Sequence, residues 1–147
     1  MVMAPKRPIT SFFGALTVST IWTFFNRYEY VGHNTFLFDR INVFPLVLWT
    51  VGLTLLYIVH TRKQTRYRLL FTTIFYLVAI ALVEAFGYYI LNIRLNSNEP
   101  SLLHTGIIHA PVHMQIFYVI AGPVYIIIIS WVLRLLYPFP KQKKQRA

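Results

Sequence analysis

The sequence predicts an all-α integral membrane protein with four transmembrane helices, and three observations lead to this fold class. Hydrophobic residues make up 56% of the 147-residue chain and charged residues only 12%, about half the usual share, so the chain is poorly suited to build a water-facing surface. Four apolar runs have the length that crosses a bilayer as a helix, about 20 residues. Nearly all charged residues fall between these runs, so one transmembrane domain accounts for the chain.

The four predicted spans follow one another with short connections. They cover residues 9–26, 41–60, 69–92 and 111–137, and a basic tail, 138–147, follows the last span. The first run resembles a signal peptide, because Lys6 and Arg7 precede it. It is nevertheless long for the apolar region of such a peptide and lacks a small-x-small cleavage site, so we expect it to remain as the first helix.

The first span carries small side chains at intervals of four residues, at Ser11, Ala15, Ser19 and Thr23. Residues with this spacing lie on one face of a helix, and small side chains let a second helix approach closely. The stripe therefore predicts a packing face, which would also suit another subunit.

The second span begins after a loop, residues 27–40, of aromatic and mixed-charge composition. Asp39 or Asn42 is placed to cap the helix by accepting hydrogen bonds from the free amide groups of its first turn. Four aromatic side chains of the loop suit the belt that forms at a membrane interface, namely Tyr28, Tyr30, Phe36 and Phe38.

Glu84, in the third span, is the one acidic residue within a predicted span. A charged group inside hydrocarbon costs at least about 2.5 kcal/mol, so Glu84 should face protein or water. Counting about 1.5 Å per residue from the outer helix ends places it level with Gly122 and Pro123 of the fourth span. Pro123 cannot donate a hydrogen bond to the carbonyl of Val119, which leaves that oxygen free for another donor.

These depths predict a buried polar layer in the outer half of a four-helix bundle. Its members are Glu84, Ser19, Thr20, Thr50, Gly122 and Pro123. Two interpretations of Glu84 stay open. It is either a structural carboxyl that joins two helices, or a group that handles protons or binds a ligand.

The stretch before the fourth span contains three histidines, His104, His109 and His113. Ser101 suits the cap of a short interfacial helix over residues 102–109, which Pro111 would end. Histidines four residues apart on one helical face are able to chelate a metal, although Pro111 interrupts the helix that this needs. The open alternatives are interfacial or hydrogen-bonded histidines, metal or haem ligation, and acid–base catalysis, so the metal and the cofactor stay unknown.

The distribution of basic residues predicts the orientation of the chain. Lysine and arginine concentrate at the two termini and in the connection between the second and third spans, so the positive-inside rule places both termini in the cytoplasm. Anionic lipid headgroups are the expected partners of Arg62, Lys63, Arg66, Arg68, Lys141, Lys143 and Lys144. Because these charges flank spans, the net charge of +10 does not predict nucleic-acid binding.

Several function classes are excluded by residue types and motifs. The chain has no cysteine, which excludes disulfides, thiolate metal sites and iron–sulfur clusters. It has no Gly-rich phosphate loop, no G-x-S-x-G elbow and no H-E-x-x-H motif. We therefore expect a non-catalytic accessory or structural subunit of a membrane complex, or a homo-oligomer, in the bilayer of the cell (inner) membrane.

Two other functions remain open from the sequence. One is a membrane-embedded enzyme or redox-linked protein that uses Glu84 and the outer-side histidines with a metal, haem or lipophilic substrate. The other is a proton-coupled small-molecule transporter that uses the layer around Glu84.

Overall fold

The computed structural model describes residues 6–32, 34–96 and 109–137. Four α-helices account for most of these residues: α1 (Lys6–Asn26), α2 (Val43–Arg62), α3 (Arg68–Ala85) and α4 (Val112–Leu136). All four are long and apolar enough to cross a membrane. The all-helical, multi-pass character predicted from the sequence is confirmed to this extent.

The start of α2 is set by Asn42. Its side-chain Oδ1 accepts a hydrogen bond from the backbone amide of Phe44 at 3.1 Å, the geometry of an N-cap. Pro45 follows in the first turn, where a missing N–H costs no intrahelical bond. Of the two cap residues that the sequence offers, the structure uses Asn42, because Asp39 lies in a tight turn before the helix.

A short hairpin before α2 was not anticipated from the sequence. Its strands, β1 (Phe36–Leu37) and β2 (Ile41–Asn42), pair antiparallel, with Leu37 opposite Ile41. At the tip, Phe38 and Asp39 both have positive φ angles, 51° and 56°. Two consecutive residues in the left-handed region allow the chain to reverse within this short loop.

The third helix does not stay α-helical to its end. After Ala85 it widens into a π-helical turn, Phe86–Ile90, in which the amide of Leu91 donates to the carbonyl of Phe86. The sequence predicted one uninterrupted helix to residue 92. The predicted interfacial helix lies almost wholly outside the described residues, apart from His109, which is not helical.

The small-residue stripe of α1 is buried within the chain. Ser11, Ala15, Ser19 and Thr23 are each at most 1% exposed. The stripe allows α1 to pack along α2 and to approach α4, where the hydroxyl of Ser11 hydrogen bonds to that of Tyr125 at 2.9 Å. This face is consequently filled by the chain's own helices and is not available to another subunit.

The helices bury two apolar clusters, one near each end. We call the end that carries residues 27–32, 34–42, 91–96 and 109–111 the distal end, and the opposite end the proximal end. The proximal cluster centres on Leu53, Tyr76 and Ile126, and the distal cluster on Tyr28 and Tyr118.

At the proximal end, the side chains of Thr10 and Tyr137 hydrogen bond at 3.2 Å. The start of α1 therefore lies beside the end of α4. The first and last described segments of the chain meet at the same end of the molecule.

Candidate functional site at the distal end

Glu84 joins α3 to the segment that leads into α4. Its side chain is half-buried, and its Oε1 accepts a hydrogen bond from the backbone amide of His109 at 3.2 Å. A carboxyl oxygen that receives an amide hydrogen bond has part of its desolvation cost offset. In the described structure this carboxyl therefore connects two parts of the backbone that are 25 residues apart in sequence.

The π-helical turn brings an aromatic ring onto His109. The ring of Tyr88 stacks on the imidazole, with the ring centroids 3.8 Å apart and the planes at 9°. The guanidinium carbon of Arg94 lies 4.7 Å from the centroid of the same Tyr88 ring. A stack of cation, phenol and imidazole thus lies beside the Glu84 hydrogen bond.

The imidazole ring of His109 has a nitrogen that, within the described part of the chain, lacks a hydrogen-bond partner. Its Nδ1 is buried and has no hydrogen-bond partner among the described residues. Desolvation lowers the pKa of His109 below its ordinary value of 6.5, and the positive charge of Arg94 lowers it further. The ring is therefore held in its neutral form near neutral pH.

A buried tyrosine, Tyr28, belongs to the distal cluster together with Ala110, the residue after His109. Tyr28 is 0% exposed, and its hydroxyl accepts a hydrogen bond from the indole Nε1 of Trp22 at 2.6 Å. Burial raises the pKa of Tyr28 to about 12, and the hydrogen bonds from its neighbours only partly oppose this rise. Burial likewise raises the pKa of Tyr30, whose ring stacks on that of Tyr28.

The interpretation of the loop aromatics as an interfacial belt is wrong for these two tyrosines. Tyr28 belongs to the distal core and Tyr30 packs against it, whereas Phe38 is 88% exposed. The sequence could not separate them, because all are aromatic residues within one short loop. In the structure Tyr28 is buried in one cluster with Met114 and Tyr118 of α4.

Asn42 ties the first loop to α2 and is 0% exposed. Besides capping α2, its amide nitrogen donates to the carbonyl of Tyr28 at 3.0 Å and to the side-chain oxygen of Asn34 at 2.9 Å. The sequence identified only the capping role. The two further bonds connect residues 8 and 14 positions apart in the chain, and no local pattern reports such contacts.

The segment that follows α1 and the segment that follows α3 also hydrogen bond to each other through their backbones. The amide of Val31 donates to the carbonyl of Arg94 at 2.8 Å, and the amide of Asn96 donates to the carbonyl of Glu29 at 2.7 Å. The distal end is thereby covered by a hydrogen-bonded layer of backbone above the helices.

The predicted polar layer takes a different form in the structure. A Cβ added at Gly122 would meet the ring of Tyr76, and the hydroxyl of Tyr76 donates to the carbonyl of Tyr118. Glu84 lies two helical turns, about 12 Å, further along α3 than Tyr76. Counting residues from the helix ends placed Glu84 too deep in the membrane. That count assumed that α3 ends and α4 begins at the same depth, whereas Glu84 bonds to His109, which precedes the start of α4.

The remaining members of the predicted layer are not gathered around Glu84 by any described hydrogen bond. Thr50 donates to the carbonyl of Leu46 at 2.7 Å, within its own helix. Thr20 supplies a carbonyl to Thr23, also within its own helix. The hydroxyl of Ser19 is buried without a partner among the described residues, and Pro123 lies inside α4.

The predicted histidine cluster is only partly covered by the structure. His104 lies outside the described residues, His109 stacks on Tyr88, and His113 is exposed in the first turn of α4. Within residues 6–32, 34–96 and 109–137, no group of three or more histidine and acidic side chains is placed to hold a metal ion.

The basic residues of the 62–68 connection lie at the proximal end. Arg62, Lys63, Arg66 and Arg68 are all exposed, and Lys63 lies 4.5 Å from the ring centroid of Phe71. The other predicted lipid contacts, Lys141, Lys143 and Lys144, fall outside the described part of the chain.

The chemistry that this arrangement supports is limited to a few groups. Among the described residues, the site offers the half-buried carboxyl of Glu84, the buried and unpartnered Nδ1 of His109, and the phenol of Tyr28, which burial holds neutral. In comparisons with known proteins, no family model, curated protein or solved structure matches this chain.

Proposed function

We propose that this chain is a non-catalytic subunit of a membrane assembly, either a homo-oligomer or an accessory subunit of a larger complex. The observation that carries the proposal is the hydrogen bond from the amide of His109 to Glu84. Glu84 is the one acidic residue within the spans, and its described contact is structural. This supports a carboxyl whose role is to hold α3 against the segment before α4.

The proposed orientation places both termini in the cytoplasm and the distal end on the opposite side of the cell (inner) membrane. The exposed cations of the 62–68 connection support it, because they lie at the proximal end with the first and last described residues. We further propose that these cations contact anionic lipid headgroups.

The surface proposed for subunit contact is α3. Only 11% of the residues in its most apolar stretch are buried within the chain, compared with 39% in that of α4. The small-residue stripe of α1, which the sequence offered as a contact face, is already filled by α2 and α4. A partner helix against α3 would bury Ile74 and Val78, which are 55% and 54% exposed.

A second candidate function is favoured by His109. Its buried Nδ1 has no partner in the described part of the chain, and the backbone amide of the same residue bonds to the carboxyl of Glu84. A metal, haem or lipophilic substrate would use this ring nitrogen and a carboxyl oxygen as donors. Under this alternative the chain is a membrane-embedded enzyme or redox-linked protein. Proton-coupled transport through Glu84 is the remaining alternative.

Purification in a mild detergent tests the proposal. We expect self-association or a stoichiometric second subunit, together with an absorption spectrum and a metal analysis that show only protein. A metal or chromophore bound at about one per chain would overturn the proposal in favour of the second candidate.

The contact face is tested with single cysteines, because the chain has none of its own. A benzophenone attached at Val78→Cys in α3 should cross-link to a second subunit in the native membrane. The matched control is Ile21→Cys in α1, where the native side chain is equally exposed at 54%. Equal cross-linking from both positions would argue against α3 as the contact surface.

The role of Glu84 is tested by a pair of substitutions. Glu84→Gln keeps an oxygen that accepts from the amide of His109, so we expect subunit association and thermal stability in detergent to stay close to those of the unmodified chain. Glu84→Leu removes the acceptor and should destabilise the protein by about 1–3 kcal/mol. Loss of proton-dependent solute flux in vesicles of the Glu84→Gln variant, with its stability retained, would favour transport.

A further inference from the structure

We propose that the hairpin of residues 36–42 is an interfacial anchor, which inserts Phe38 into the phospholipid headgroup region of the leaflet at the distal end. The partner is the lipid surface itself. This inference requires only that the four helices span the membrane, and it holds whether or not the chain is a subunit of an assembly.

The first observation is the exposure of the hairpin tip. Phe38 is 88% exposed, more than any other large hydrophobic side chain among the described residues. Leu37, beside it, is 45% exposed. A phenylalanine ring extended into water is unfavourable, and an aromatic side chain at a membrane interface is a common arrangement.

The second observation is the backbone conformation of this residue. Phe38 has a φ of 51°, in the left-handed region that glycine and asparagine adopt with little strain and that bulky residues rarely adopt. The neighbouring turn residue, Asp39, has a φ of 56°. A phenylalanine at this position is thus costly for the turn, which indicates that its side chain has a role outside the turn.

The third observation places the hairpin at the depth of the membrane interface. The guanidinium carbon of Arg40 lies 5.4 Å from the ring centroid of Phe24, a residue in the last turns of the α1 span. The hairpin therefore lies alongside the end of this span. The guanidinium carbon of Arg27 lies 5.8 Å from the ring centroid of Phe36, so a second cation–ring pair lies at the base of the hairpin. Such a composition fits phosphate groups above and acyl chains below.

The fourth observation is that the base of the hairpin is fixed. Asn42 is buried and bonded to the loop and to α2, and the amide of Val43 donates to the carbonyl of Thr35 at 2.9 Å. An anchor that is already ordered loses little conformational freedom when it enters the lipid surface.

The experiment uses the full-length chain in vesicles of phosphatidylcholine and phosphatidylglycerol. A nitroxide is attached to a single cysteine, either Phe38→Cys or the control Asn96→Cys, which lies exposed in the other distal connection. We expect the label at position 38 to collide more with oxygen, which concentrates in lipid, and the label at position 96 to collide more with a water-soluble nickel chelate. Equal access of the chelate to both labels would overturn the proposal.

A second arm keeps the native phenylalanine. A nitroxide at Leu37→Cys is compared in the unmodified background and in one that carries Phe38→Ser. We expect removal of the ring to increase collisions with the nickel chelate at least twofold, while the far-ultraviolet circular dichroism stays unchanged because the tip makes no core contact. Unchanged collision rates would overturn the proposal and would instead indicate that the exposed tip contacts a protein partner.

Discussion

Tyr76 occupies the space that a side chain at position 122 would need. A methyl group added to Gly122 would lie 2.5–2.6 Å from carbon atoms of the Tyr76 ring, well inside van der Waals contact. The ring cannot simply retreat, because its hydroxyl is hydrogen bonded to the carbonyl of Tyr118. The glycine therefore permits the close approach of α3 and α4 at this level.

We predict that Gly122→Ala destabilises the protein in detergent by about 1–3 kcal/mol, the usual effect of overpacking a close contact. Thermal unfolding is the measurement. The control is Gly52→Ala, because nothing lies within 4 Å of the added methyl group there and alanine favours a helix. A Gly122→Ala variant that melts at or above the temperature of the Gly52→Ala variant would show that the close approach does not exist.

His109 is expected to make the stability of the fold depend on pH. Its folded pKa is lowered from 6.5 by desolvation first and by Arg94 second, while Glu84, Tyr88 and Tyr89 also face the residue. Below pH 6.5 the unfolded chain binds more protons at this residue than the folded chain does. The stabilisation contributed by the neutral imidazole is therefore complete above about pH 6.5 and is lost as the pH falls through the folded pKa.

We predict that thermal stability in detergent falls as the pH is lowered below about 6.5, and that His109→Gln reduces this fall. His113→Gln, at an exposed histidine of α4, serves as the matched control and should leave the dependence as it is. If both variants gave the same pH profile, His109 would not be the titrating group.

At the scale of elements, the helices of this chain are held by contacts at their ends as much as along their lengths. Asn42 caps α2 and at the same time bonds to the carbonyl of Tyr28 and the side chain of Asn34. The π-helical turn ends α3 and turns Tyr88 toward His109. Each of these ends is therefore coupled to a segment that is distant in sequence.

We predict that Asn42→Ala costs about 2–4 kcal/mol, because it removes a helix cap of about 1 kcal/mol and leaves buried polar groups without partners. Chemical denaturation in detergent measures the loss, and limited proteolysis should show earlier cleavage near residues 27–32. Asn96→Ala is the control, since the described bond of Asn96 uses its backbone amide. Comparable losses in the two variants would contradict the role assigned to the Asn42 side chain.

At the scale of the whole molecule, four helices with exposed apolar sides alternate in direction and bring the two termini of the described chain to the proximal end. The proximal end carries the exposed cations of the 62–68 connection. The positive-inside rule, applied to this arrangement, leads to a testable orientation in the cell.

We predict that a membrane-impermeant maleimide labels Asn96→Cys in intact cells and labels Tyr67→Cys only after the cells are permeabilised. Both native side chains are exposed, and the absence of other cysteines makes the label specific. The reverse pattern would place the distal end in the cytoplasm and would invalidate the proposed orientation.

The presence of four helices long and apolar enough to span a membrane follows from the sequence alone, because the cost of placing charged groups in hydrocarbon keeps them mostly out of the spans. The burial of the α1 stripe at Ser11 and Ser19 follows in the same way from local spacing. Asn42 was one of two candidate cap residues, with Asp39, because capping is a local interaction, and the structure decided between them.

The distal assembly was decided only by the tertiary structure. The contacts of Glu84 with His109, of Asn42 with Tyr28 and of Tyr76 with Gly122 join residues that are far apart in the chain. These contacts form only when the helices have the right positions along one another's axes. A π-helical turn or a short hairpin shifts those positions, and the sequence carries no strong local pattern for either feature. The periodicity of apolar residues reports which side chains leave water, but it does not report which partner each buried polar group meets.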